Sequence, residues 1–173
     1  MASTTSPNIL WIFGDQHRAH ALGHEGDPNA HTPHLDQMAA SGCRFTNAVS
    51  GNPWCAPFRG CLMTSLYSHK AVKRTPERLD PDLPVITDVF NEGGYDTAYF
   101  GKWHLDGHNQ MTYVPRERRG RFATWIGYEN NNAQYDTVVH GHNTRGRDDQ
   151  DETAEPLVDY ETETPDQYVD LLR

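Results

Sequence analysis

A chain of 173 residues with 36% hydrophobic and 23% charged side chains can bury a core of its own, at roughly 70% of the unfolded surface. It has no run of about 20 apolar residues of the kind that spans a bilayer. The net charge is −9, with 13 basic and 14 acidic side chains over 1–146 and 2 and 10 over 147–173. Acidity collected in the last stretch, Asp148 to Asp170, argues for a solvated surface and against a nucleic-acid partner. The short run Arg116-Glu117-Arg118-Arg119-Gly120-Arg121 does not change that balance. Cys43, Cys55 and Cys61 form no Cys-x-x-Cys pair, so neither a disulfide scaffold nor a structural zinc site is indicated. Met1 to Pro7 is small and polar and lacks the basic residues that open a signal peptide. A cytoplasmic location with no membrane association is expected.

In chain order, Ile9 to Phe13 reads as a strand apolar on both faces, ending at Gly14-Asp15-Gln16. A helix follows: Thr32 suits its cap, Pro33 its first position, Leu35, Met38 and Ala39 its apolar stripe, and Gly42 its end. Arg44 to Val49 is a second candidate strand. Beyond the Cys55 segment, Pro84 can open a helix whose Val85, Ile86, Val89 and Phe90 recur at helical spacing and which Gly93-Gly94 can close. Tyr95 to Phe100 reads as the third strand. From 107 to 163 the composition predicts mostly loop, and Pro165 can begin a short helix over Thr164 to Leu172. Strands alternating with helices predict an α/β fold with a mostly parallel sheet flanked by helices, whose ligand sites gather beyond the carboxyl ends of the strands. Asp15-Gln16, Asn52 to Arg59 and Lys102 to His104 occupy those places.

Cys55-Ala56-Pro57-Phe58-Arg59 fits the pattern C-x-P-x-R. With Pro7-Asn8-Ile9-Leu10, Asp15-Gln16, Thr32-Pro33-His34-Leu35-Asp36 and Gly93-Gly94-Tyr95 through Gly101-Lys102-Trp103-His104, the first two thirds of the chain resembles the N-terminal part of a formylglycine-dependent sulfatase. The resemblance implies an alkaline-phosphatase-like fold and hydrolysis of a sulfate ester, in a sulfated small molecule or saccharide. It further implies that a formylglycine-generating enzyme oxidises Cys55 to an aldehyde, whose hydrate attacks sulfur with one hydroxyl and expels sulfate with the other. Arg59 would hold that hydrate, because a planar, permanently charged guanidinium orients it better than Lys would. Lys102 and His104 would grip a sulfate oxygen and assist the leaving group. Asp15, Gln16 and the modified Cys55 would bind a divalent metal, and oxygen donors suit calcium. The chain departs from the pattern at Thr64-Ser65, where the signature usually continues to Thr-Gly.

Blander readings stand beside each of these. Cys55 could be an inert buried thiol, Asp15-Gln16 turn chemistry, and Lys102 and His104 a surface pair at a strand end. His17, His20, His24, His31 and His34 could bind zinc, but loop and capping positions explain them better. A phosphonate monoester or phosphodiester hydrolase of the same superfamily is the nearest rival function. An inactive truncated fragment is another, since no later metal ligands are recognisable after residue 107 and the chain is expected to be incomplete.

Overall fold

The computed structural model describes residues 6–108, 112–132 and 139–142. The chain divides into two compact units, Met1–Val49 and Ser50–Arg173. In the first, a 3-10 turn at Gly23–Glu25 precedes helix α1, Pro33–Ser41. The expected helix is there, but Thr32 does not cap it with its side chain. Its hydroxyl instead accepts from Gly23 N at 2.8 Å and donates to Asp36 Oδ1 at 3.0 Å. His24 adds its own amide and its Nδ1, both 2.9 Å from that Asp36 oxygen. The His24 hydrogen bond is the main reason the Asp36 carboxyl sits below its usual range.

The run 9–12 forms no strand in this unit, and Ile9, Leu10, Trp11 and Ile12 are 59 to 84% exposed. Arg44 to Val49 forms none either. A buried strand needs a ladder on its edges and cover on its faces, and neither is supplied by the described residues of the unit. The stripe on α1 is likewise open, with Leu35 and Met38 exposed.

The second unit carries helices α2, Cys55–Thr64, and α3, Ile86–Glu92, followed by strands β1, Ala98–Lys102, β2, Thr124–Tyr128, and β3, His140–His142. The sheet order is β1-β2-β3. β1 runs parallel to β2 with Ala98 opposite Thr124 and Lys102 opposite Tyr128, while β3 is antiparallel to β2 with Trp125 opposite His142. The sheet is thus mixed, and the stretch 107–163 contributes two of its strands where loop was expected. Trp125 and Ile126 are buried, and this aromatic and β-branched run is the local signal for β2. β1 ends on Lys102, not at Phe100 as the sequence predicts. The helix expected over Thr164 to Leu172 and the acidic stretch Asp148 to Asp170 lie outside the described residues. No helix among those described is long and apolar enough to cross a membrane.

The core draws on α2, β2 and the loops around them. Met63, Val72, Val85, Trp103, Leu105, Val114 and Trp125 fill it, and Trp103 meets Trp125 edge-on at 6.1 Å. α2 comes so near the following loop that a Cβ on Gly60 would stand 2.9 Å from Val72 Cγ2. Arg119 is fully buried with its guanidinium 4.8 Å from the Trp125 ring centre, a cation over an aromatic face. It donates to Val114 O at 2.9 Å and meets His142 Nδ1 at 3.0 Å. His142 Nε2 lies 3.1 Å from Phe122 O, and donation there leaves Nδ1 as the acceptor for Arg119.

Candidate active site

Local chemistry starts α2 at Cys55. Trp54 precedes it with extended backbone, φ −105° and ψ 147°, and Phe58 N donates to Trp54 O at 2.9 Å to close the first turn. Pro57 falls inside that turn, where the backbone N–H it lacks would have had no helical partner. Cys55 and Arg59 are four residues apart and share a helix face. Ala56, Pro57 and Arg59 are buried, and Cys55 is half-buried.

Arg59 is 5% exposed, so its charge has to be met inside the protein. Its Nη1 donates to Tyr99 Oη at 3.1 Å and to the backbone oxygen of Lys102. The Tyr99 hydroxyl donates to the same Lys102 oxygen. Tyr99 is only partly buried as a residue, yet its hydroxyl lies inside this network. Burial pushes its pKa up to about 12, against the opposing pull of Arg59.

Lys102, the last residue of β1, is 7% exposed, with Nζ 3.9 Å from Cys55 Sγ and 3.3 Å from Asn132 Oδ1. Gly101 before it has φ 105°, a conformation that favours glycine. Two residues on, His104 is buried and left-handed at φ 54°, which is uncommon for a residue with a Cβ. The structure therefore joins Cys55, Arg59 and Lys102 directly and sets His104 just past the end of β1. Asn132 is the member of this cluster that the sequence did not reveal. An asparagine in the loop sequence Asn130-Asn131-Asn132 carries no pattern that distinguishes it.

Asp15 and Gln16 belong to the first unit, where they form an exposed turn with Gln16 at φ 54°. Their carboxylate and amide oxygens are hard donors that fit a cation such as calcium. Among the described residues there is no group of three or more His, Cys, Asp or Glu side chains able to hold a metal ion. Two histidines of this unit serve local structure: His24 pairs with Asp36, and His17 Nε2 lies 3.1 Å from Ala21 O. In the basic run, Arg118 binds Asp106 and Leu79 O, Arg119 binds Val114 O, and Arg121 binds Asp88 and the Pro81 and Leu83 oxygens.

The sulfatase family model matches residues 7–169. The chain belongs to the sulfatase family. It is 45% identical over 126 residues to an ulvan-active sulfatase of Formosa agariphila, covering 72% of this chain and 25% of that protein. It is 33% identical to the human N-acetylgalactosamine-6-sulfatase over 72% of this chain and 26% of that one. Among solved structures, the yidJ sulfatase of Bacteroides fragilis superposes with a TM-score of 0.66 at 33% identity, over 78% of this chain and 34% of the other. This sulfatase chain thus has the alkaline-phosphatase-like α/β fold of its structural neighbours. It spans about a quarter of the length of the two curated relatives.

Proposed function

We propose that the protein hydrolyses sulfate esters of saccharides, with Cys55 converted by a formylglycine-generating enzyme into the nucleophile. The observation that carries this reading is the ammonium of Lys102, 3.9 Å from Cys55 Sγ at the N-terminus of α2. A sulfate group brought to that sulfur's position meets a buried cation and the positive end of a helix, both of which favour an anion. The relatives named for ulvan and for N-acetylgalactosamine 6-sulfate support a saccharide.

The residues then divide the work. Lys102 binds a sulfate oxygen as a point charge, and Asn132 Oδ1 steadies that ammonium. Arg59 ties the first turns of α2 to the end of β1 through the Lys102 oxygen, which fixes the distance between residue 55 and Lys102. His104 supplies the proton that the departing alcohol needs. Asp15 and Gln16 would provide two oxygen donors to a divalent cation such as calcium. A cation held there would supply Lewis-acid chemistry.

The test is to make the protein together with a formylglycine-generating enzyme, map residue 55 by peptide mass spectrometry, and assay sulfated saccharides and an aryl sulfate with calcium present. The expected result is an aldehyde at position 55 and sulfate release that Cys55→Ala abolishes. Unmodified cysteine throughout, or turnover that survives Cys55→Ala, overturns the assignment.

A further inference from the structure

Glu129 follows directly on β2 and is fully buried. A carboxyl group in such a place needs hydrogen-bond partners, and its partners here all lie on one short segment. Its backbone oxygen accepts His104 N at 2.7 Å. Its side-chain Oε1 accepts Asp106 N at 2.9 Å and His108 N at 3.2 Å. The ladder between β1 and β2 ends with Lys102 opposite Tyr128, and Trp103 N still reaches Tyr128 O at 2.7 Å. From there on Glu129 stands in for the missing strand, first with its main chain and then with its side chain. The alternate amides of 104, 106 and 108 are thereby held on one side.

This matters because of what the segment carries. His104 has its ring buried and its backbone at φ 54°, a conformation a non-glycine residue keeps only when its surroundings impose it. Glu129 Oε2 has no hydrogen-bond partner among the described residues. Burial raises this carboxyl above the ordinary range, and the charge of Asp106 adds to that, while the His108 and Asp106 amides oppose it. A group in that state is used as an acceptor through Oε1, and glutamine offers the same acceptor.

We propose that Glu129 is a positioning residue that holds His104 in its left-handed conformation, and so sets the proton donor for the leaving alcohol. The proposal rests on the sulfate-ester reading of the same site. A purely structural clamp would affect every substrate alike. A clamp that acts through His104 matters most when the leaving group needs a proton, so an alkyl sulfate should suffer more than a nitrophenyl sulfate.

The test compares Glu129→Leu, Glu129→Gln and the parent protein, all converted at position 55. In Glu129→Leu, kcat for an alkyl sulfate should fall at least about tenfold with KM little changed, and nitrophenyl sulfate hydrolysis should fall much less. Glu129→Gln should restore most of the alkyl sulfate activity. Equal losses on both substrates, or no loss, overturn the proposal. If Glu129→Leu does not fold, Glu129→Gln decides alone: a folded Gln variant that loses alkyl sulfate activity also overturns it. Amide exchange separates this outcome from failure of the sulfatase reading. Should the parent protein hydrolyse no sulfate ester, Glu129→Leu must still expose the Asp106 and His108 amides, which lose Oε1, and shift the His104 ring resonances. Unchanged protection and resonances would sink the positioning role by themselves.

Discussion

Lys102 Nζ stands 3.9 Å from Cys55 Sγ although the two are 47 positions apart in the chain. The contact is built from both ends, because Arg59 on the Cys55 helix donates to the backbone oxygen of the same lysine. A thiol and an ammonium held this way are a prepared place for an anion.

Replacing Lys102 by Ala should lower kcat for sulfate esters by about 100-fold, the scale of removing one preorganised donor from a developing oxyanion. Conversion of Cys55, followed by mass spectrometry, should be unaffected. Lys102→Arg should not restore the rate, since a planar fork does not fit the space of a point charge packed against Asn132. Wild-type kcat in Lys102→Ala would remove the lysine from the reaction.

Ser65 ends α2 with φ 58°, its amide donating to Cys61 O at 2.8 Å. This is the position where the sulfatase signature usually has glycine, and the left-handed backbone explains that preference. Ser65→Gly should therefore stabilise the protein by about 1 kcal/mol, a rise of about 2–4 °C in a melting curve. A lower Tm would show that the serine side chain contributes more than its backbone costs.

Tyr99 should shape the alkaline limb of stability. Its folded pKa of about 12 lies above the ordinary 10.0, so the unfolded chain releases this proton first as pH rises. The stabilisation is complete below pH 10.0 and is lost progressively toward about 12. Tyr99→Phe should begin lower, by about 1 kcal/mol for the lost hydrogen bonds, and decline less steeply over that window. Denaturant titrations at stepped pH measure both features, and parallel curves for the two proteins would contradict the assignment.

Asp15→Ala should weaken calcium binding in calorimetry and make activity more sensitive to a chelator. Gln16→Ala should do so less, because a neutral amide oxygen offers a smaller charge to the cation. An unchanged calcium isotherm in Asp15→Ala would take that carboxylate out of the metal site.

The helix that became α3 was legible because its signals are local. The spacing of Val85, Ile86, Val89 and Phe90 acts within a few residues, where backbone geometry alone sets the outcome. The same holds for Lys102 and His104, which a short motif places at a strand end. What the sequence determined beyond that was appetite: Ile9 to Phe13 is apolar enough to be buried, and no pattern within it says which strand would pair with it. Burial and pairing are decided between distant segments, and in the first unit the described residues leave Ile9 to Ile12 exposed. Tertiary structure alone decided that the stretch 107–163 returns to the sheet as β2 and β3, that Asn132 meets Lys102, and that Glu129 takes over the amides of His104, Asp106 and His108. None of these pairs lies within one helical turn or one hairpin. Side chains that far apart in sequence meet only when the packing of Trp103, Trp125 and Arg119 has fixed where the strands end.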